Sequence, residues 1–193
     1  MQFPNLLRML INMPRKNVKK KGNNFELDIS KKLSLWWTDN ERSDVFYKTT
    51  NSGGIYTINE KTMYKNDAGD IKSIDVDSKA FTDYFIIECK SYEDINLWSI
   101  VTESNDLIGE WWDKLLIDCN LQEKTPLLII KQDYKPILLI TTERFSNKLN
   151  MVYGNEIKPK LIFYKNDKEI HGFKLNDILK LNIKYIKTIL EEL

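Results

Sequence analysis

The segment from Tyr84 to Lys90 constrains the fold of this chain more than any other stretch. In a strand, its alternating pattern would place Phe85, Ile87 and Cys89 on one face and Glu88 beside Lys90 on the other. The Cα atoms of the two charged residues would be about 7 Å apart. Because charges at the end of a buried strand are costly unless they are paired or bind a metal ion, two interpretations are open. The segment ends either in a metal-dependent hydrolytic site or in a surface ion pair.

The patterns on either side of this strand predict one α/β domain. The chain has 193 residues, 42% of them apolar, which is enough to bury a substantial core. Helices are predicted at residues 25–37, at 106–119 and from about 175 onwards. Strands are predicted at residues 44–49, 69–71, 126–131, 136–141 and 161–164. Residues 1–21 are basic and predict a loose lead-in to a single domain at 22–193.

Composition excludes several classes of protein. The formal net charge is only +1, so any basic surface must be local. A single histidine, His171, argues against zinc sites and histidine-centred nucleases, and its place before a glycine predicts a turn. Cys89 and Cys119 have neither metal-site nor disulfide spacing, which is typical of a reducing, cytoplasmic environment. No apolar run is long enough to span a membrane, so we expect no membrane partner.

Acidic residues upstream of Glu88 suggest a cation site. Asp70 follows Gly69 at the head of a predicted strand, 18 residues before Glu88. If the two strands pair as a hairpin, both carboxylates reach one end of the sheet, where they repel each other unless a divalent cation lies between them. Lys90 would then lie beside the ion and could orient a water or stabilise charge on a phosphate. Glu26 lies at the edge of the apolar stripe of the first helix and could contact the ion through a bound water.

Some residues have competing interpretations. Three other acids also precede Glu88. Asp75 and Asp77 lie in a turn-like stretch, and Asp83 is too close to Glu88 to come from another strand, so Asp70 is favoured over all three. Two tryptophan pairs could stack on bases, but each belongs to an apolar helical stripe and is predicted to be core: Trp36-Trp37 and Trp111-Trp112. Lys131 ends a predicted buried strand. We expect its amine to extend from the strand end into solvent, and the alternative is that it contacts a phosphate of nucleic acid.

The order of these residues resembles the PD-(D/E)xK nuclease superfamily and, within it, the archaeal and phage-type Holliday-junction resolvases. The resemblance covers roughly residues 19–92. It is carried by a basic lead into a helix that bears Glu, a lysine before a Ser-Gly-Gly loop, and two acidic motifs: Lys19-Lys20-Lys21, Glu26, Lys48, Ser52-Gly53-Gly54, Gly69-Asp70 and Glu88-Cys89-Lys90. It implies a restriction-endonuclease-like core, with a central mixed β-sheet flanked by helices.

The resemblance also implies roles for individual residues. The metal ligands would be Asp70, Glu88 and the backbone carbonyl of Cys89, with Lys90 as the catalytic lysine and Glu26 as the helix carboxylate. Residues expected to contact nucleic acid are Lys19, Lys20, Lys21, Lys48, Ser52 and Gly53. The implied cofactor is Mg²⁺, with Mn²⁺ as a substitute. The implied partner is DNA, above all a four-way junction. Such enzymes usually act as homodimers, which the resemblance also implies here. The implied location is intracellular (cytoplasmic), and the protein could be phage-encoded.

Two departures from the resolvase pattern leave the substrate open. Glycine rather than proline precedes Asp70, and the segment between Gly54 and Asp70 is long for a resolvase. A restriction-type or repair nuclease acting on duplex DNA would have the same site residues. A nuclease-like fold that only binds nucleic acid is the third alternative, and the intact set of Asp70, Glu88 and Lys90 argues against it.

Overall fold

A computed structural model describes residues 16–49, 68–97, 99–102 and 106–191. The helices are α1 Lys16–Trp37, α2 Val76–Tyr84, α3 Ser99–Thr102, α4 Leu107–Gln122, α5 Glu143–Tyr153, α6 Leu175–Ile178 and α7 Ile183–Glu191, with a 3-10 turn at Gly154–Glu156. The strands are β1 Phe46–Lys48, β2 Ile71–Ser73, β3 Phe85–Tyr92, β4 Thr125–Gln132, β5 Leu138–Thr142, β6 Leu161–Lys165 and β7 Lys168–Lys174. No helix in these ranges is both long enough and apolar enough to cross a membrane.

The central sheet has five strands in the order β3-β4-β5-β7-β6. β3 runs parallel to β4, and every other pairing is antiparallel, so the sheet is mixed. A second, two-stranded sheet pairs β1 with β2 in antiparallel fashion. The predicted α/β fold, a mixed sheet flanked by helices with a restriction-endonuclease-like core, is confirmed.

Helices cover both faces of the central sheet. On one face, Ile87 and Cys89 of β3 belong to a large apolar cluster that also takes side chains from α1, α2, α5 and α7. On the other face, Ile86 belongs to a smaller cluster centred on α4. The alternation predicted for β3 is therefore confirmed, and β4, buried from Pro126 to Ile130, is covered on both faces as its apolar run predicted.

The first helix is longer than predicted, because it begins at Lys16. Residues 16–21, the described part of the basic lead-in, are helical rather than loose. Phe25 and Ile29 are buried at 3% and 0% exposure, as the apolar stripe predicted. Trp36 and Trp37 end the helix in the core, which confirms their structural interpretation.

A helix, rather than a hairpin turn, separates β2 from β3. α2 occupies Val76–Tyr84, and β2 pairs with β1, so the hairpin expected between the strands of Asp70 and Glu88 is wrong. Asp75 caps the helix, with its side chain accepting a hydrogen bond of 3.0 Å from the Asp77 N–H. Asp and Ser favour both turns and helix N-termini, which is why this stretch resembled a turn.

The C-terminal third contains elements that the sequence patterns missed, namely α5 and β7. His171 is not a turn residue: it lies within β7, is 5% exposed, and pairs in register with Thr141. The turn falls earlier, at Asn166 and Asp167, whose φ angles of 51° and 59° suit a tight β6–β7 hairpin. The ring nitrogens of His171 instead hydrogen bond to the Ser146 hydroxyl at 2.6 Å and to the Glu169 carboxylate at 2.5 Å.

Candidate active site

Asp70 is anchored against the outer edge of β3. Its carboxylate accepts a hydrogen bond of 2.8 Å from the Cys89 N–H, and its own N–H donates to the Ile87 carbonyl at 2.7 Å. The side chain is buried, with 4% of the residue exposed. The two predicted acidic motifs therefore meet, although the contact is a single residue docked on the strand rather than a hairpin ladder.

The main chain of Cys89 faces the same edge. Within a strand, the N–H and C=O of one residue point to the same side, so the Cys89 carbonyl points away from β4 and toward the side where Asp70 lies. The Cys89 thiol is in a different environment, because burial, followed by the charges of Asp70 and Glu88, raises its pKa well above the ordinary range. Cys89 thus offers a carbonyl oxygen to this edge, while its thiol stays neutral.

Glu88 and Lys90, two residues apart on one face of β3, form an ion pair. Burial raises the pKa of the Glu88 carboxyl, and the negative charge of Asp70 adds to this shift, while Lys90 opposes it. Burial disfavours the charged form of Lys90, but the charge and hydrogen bond of Glu88 outweigh it and raise the pKa of the amine. Lys90 is therefore an ammonium at neutral pH.

A second ion pair joins α1 to β1 beside the first. The Lys48 ammonium lies 3.3 Å from a Glu26 carboxylate oxygen, and the Asn23 side-chain oxygen is 3.5 Å from the same nitrogen. Burial raises the pKa of Glu26, with the charge of Asp70 as the next cause. The helix carboxylate therefore lies close enough to Asp70 to interact with it, as the sequence predicted.

The arrangement fits a divalent cation. Asp70 is a buried carboxylate that accepts a backbone N–H, and within the described residues it has no ion pair with a cation. A buried charge without a counter-charge is costly, and Mg²⁺ is commonly held by one or two carboxylates completed by carbonyls, waters and phosphates. Across the described ranges, no group of three or more His, Cys, Asp or Glu side chains is arranged to hold a metal ion. The fit therefore depends on Asp70, Glu88 and a main-chain carbonyl.

Two residues to which the sequence assigned no role, Gly69 and Thr49, position Asp70. Gly69 has a φ of +100°, and a Cβ built on it would lie 3.1 Å from the Ile87 carbonyl oxygen. Proline, which fixes φ near −65°, could not adopt this conformation. Thr49 holds the same turn from the other side, with its N–H donating to the Asp70 carbonyl at 2.9 Å and its hydroxyl to the Gly69 carbonyl at 3.1 Å. The Gly-Asp dipeptide was the available signal for Gly69, whereas nothing local marked Thr49.

Residues expected to contact nucleic acid are only partly described. Lys48 lies at the site through its pair with Glu26. Lys20 and Lys21 lie on the first half of α1, in a cleft next to the end of β3. Ser52 and Gly53 fall outside the described residues, as does the side chain of Lys19.

Fold and site together define a nuclease of the PD-(D/E)xK class. A mixed sheet carries Glu88-Cys89-Lys90 on one strand, and Asp70 reaches that strand from the preceding one. The chain belongs to the family described as "Phage putative PDDEXK endonuclease", which matches residues 17–189. No curated protein and no solved structure matches the chain. The match extends from α1 to α7 and so includes every predicted acidic site residue.

Proposed function

We propose that this chain is a metal-dependent endodeoxyribonuclease that hydrolyses phosphodiester bonds in branched DNA, above all in four-way junctions. The observation that carries the proposal is the Asp70 carboxylate bound to the main chain of the strand that bears Glu88 and Lys90. The charge of Asp70 raises the pKa of Glu88, so two carboxylates at this edge, with a lysine on the same strand, favour a cation between them.

Mg²⁺, or Mn²⁺ in its place, would be held by Asp70, Glu88 and the Cys89 carbonyl. When bound, such a cation would lower the pKa of a coordinated water, and so favour its deprotonation, and would polarise the phosphate. The Lys90 ammonium, held by Glu88, is placed to stabilise negative charge on the attacked phosphate. Glu26 orients Lys48 beside Asp70, where the lysine can contact a neighbouring phosphate oxygen.

The preference for junctions is supported by the order of motifs in the first 92 residues, in which Glu26 precedes the nuclease strands on a basic helix. A junction offers two symmetry-related strands, so we propose that the enzyme acts as a homodimer. A duplex-cutting restriction or repair nuclease would use the same residues, and the comparison of DNA substrates separates the two functions.

The direct test is a nicking assay on four-way junction, flap and linear duplex DNA, with and without Mg²⁺. We expect Mg²⁺-dependent cleavage of the junction in preference to the linear duplex, and no cleavage by Asp70→Asn. Equal cleavage of all three DNAs would favour the duplex nuclease. Binding without nicking in either Mg²⁺ or Mn²⁺ would favour a non-catalytic protein.

A second test does not depend on activity. Divalent cation at about 100 times its dissociation constant should stabilise the wild-type protein by about 2.7 kcal/mol, a rise in melting temperature of roughly 5–10 °C. Asp70→Asn removes a ligand but keeps the oxygen that accepts the Cys89 N–H, so it should fold and lose this rise. An equal rise in both proteins would place the cation elsewhere.

A further inference from the structure

A cleft of about 390 Å³ lies next to the end of β3, on the side of α1. It is lined by Lys20, Lys21, Asn24, Phe25, Asp28, Ser91 and Lys131. Ser91 directly follows Lys90, and it pairs in parallel register with Lys131 of β4. By the alternation of β3, the Ser91 side chain lies on the face that α1 covers, opposite to the side chains of Glu88 and Lys90. The cleft therefore adjoins the candidate active site on the side of α1, the helix that also carries Glu26.

Lys131 is a half-buried cation without an acidic partner in the described part of the chain. Its ammonium lies 5.8 Å from the centre of the Phe25 ring, and Phe25 is itself buried. Asp28, the acid among the lining residues, pairs with Lys32 at 2.5 Å, and Asp133 pairs with the lining residue Lys21 at 2.6 Å. Because a partly desolvated charge is costly without a counter-charge, this position favours an incoming anion.

Ser91 adds a neutral donor to the cleft. Its hydroxyl oxygen is buried and has no hydrogen-bond partner among the described residues. Buried hydroxyls are nearly always hydrogen bonded, so this one keeps an unused donor at the wall of the cleft. A hydroxyl and an ammonium on paired positions of two parallel strands suit a tetrahedral oxyanion, which takes hydrogen bonds from both.

We propose that this cleft binds a backbone phosphate of the cleaved DNA strand, next to the scissile phosphate, through Lys131 and Ser91. The inference rests on the proposed function and adds to it a path for the DNA strand, from the free edge of β3 where Asp70 is docked, along α1, toward Lys131 of β4. Lys20, which also has no acidic partner among the described residues, lies on α1 at the border of the same cleft.

The experiment compares Lys131→Gln with Lys168→Gln. Lys168 is exposed, at the start of β7 in the half of the sheet farthest from β3, and serves as the matched loss of one charge. Binding of junction, flap and linear DNA is measured over a range of salt concentrations in an Asp70→Asn background, where no cleavage occurs. Loss of one phosphate contact should weaken binding about tenfold on all three DNAs and reduce the slope of log K against log salt by about 1.

Two further variants separate a phosphate contact from a folding defect. Lys131→Arg should restore both the affinity and the slope. Ser91→Ala should weaken binding without changing the slope, because the hydroxyl carries no charge. Unfolding midpoints check that each variant is folded.

The outcomes separate this inference from the proposed function. If Lys131→Gln and Lys168→Gln give equal slopes, the cleft does not bind phosphate, whether or not the wild type cuts DNA. If the slope falls only in Lys131→Gln while the wild type fails to nick any DNA, the subsite stands and the proposed catalysis falls. An Asp70→Asn protein that binds no DNA overturns the subsite.

Discussion

Three carboxylates lie close together around the middle of β3, and two of them have their negative charge balanced by a lysine. Glu88 pairs with Lys90 and Glu26 pairs with Lys48, whereas Asp70 accepts the Cys89 N–H and has no cationic partner among the described residues. Three negative and two positive charges leave one uncompensated negative charge in a partly buried place. A bound divalent cation would reverse the sign of this site and make it attractive to a phosphate.

Lys90 and Lys48 give a matched pair of tests at the scale of single residues. Lys90→Gln removes the ammonium on the strand that bears Glu88, and the rate of cleavage at saturating DNA should fall by about 10²–10³-fold. Lys48→Gln removes the partner of Glu26, a supporting position, and should cost about 10–100-fold. Single-turnover kinetics measure both rates. A larger loss for Lys48→Gln would mean that Lys48 contacts the attacked phosphate and that Lys90 has the supporting position.

Among the elements, α2 helps to hold the site together, because it lies between β2 and β3 and carries Phe81 into the core. The Phe81 ring is 3% exposed and lies 4.9–6.0 Å from four other aromatic rings. These rings come from α1, β1 and β3: Trp36, Trp37, Phe46 and Phe85. This cluster ties the segment that carries Asp70 to the strand on which Asp70 docks.

Phe81→Ala should destabilise the protein by about 3–5 kcal/mol, because it removes a fully packed ring from the core. The control is Val76→Ala in the same helix, which is 85% exposed and should change stability by less than about 0.5 kcal/mol. Urea denaturation measures both. A loss below about 1 kcal/mol for Phe81→Ala would mean that α2 does not pack on the aromatic cluster.

A hydrogen-bonded carboxylate on the β6–β7 hairpin, Glu169, gives a pH-dependent prediction. The hydrogen bond from His171, followed by that from Tyr164, lowers the pKa of Glu169 below its ordinary value. Because the folded-state pKa is the lower one, the stability that Glu169 contributes is complete above its unfolded pKa. It is lost as the pH falls through the folded pKa.

The difference in urea midpoint between wild type and Glu169→Gln should therefore be largest near about pH 7 and shrink toward about pH 3. A series of denaturation curves over this range measures it. A difference that stays constant with pH would show that the hydrogen bonds act without the charge.

For the molecule as a whole, a net charge of +1 means that DNA is bound by a local basic surface. With about three to four phosphate contacts, the slope of log K against log salt should be roughly −3 to −4, and affinity should fall about 10²-fold between 50 and 200 mM salt. Fluorescence anisotropy with Asp70→Asn measures this slope. A slope near −10 would require a much larger DNA-binding surface.

The candidate site residues could be predicted from sequence where a local pattern marked them. Glu88 and Lys90 could be recognised because charges interrupt an apolar alternation, and Asp70 because it follows a glycine ahead of a strand. The pairing of β2 with β1 could not be recognised, since tertiary contacts select strand partners. His171 was misread for the same reason: its burial depends on Ser146, which lies 25 residues away in a helix that the sequence patterns missed.

The docking of Asp70 also protects the free edge of the central sheet. β3 is a terminal strand, and the unpaired N–H and C=O groups of such a strand can recruit a strand from another chain. The Asp70 main-chain N–H occupies the Ile87 carbonyl and its carboxylate occupies the Cys89 N–H, so the aspartate proposed to bind the cation also covers two groups of that edge against pairing with another strand. Truncation of this side chain would free the Cys89 N–H for pairing with another strand, whereas the isosteric amide would keep it covered.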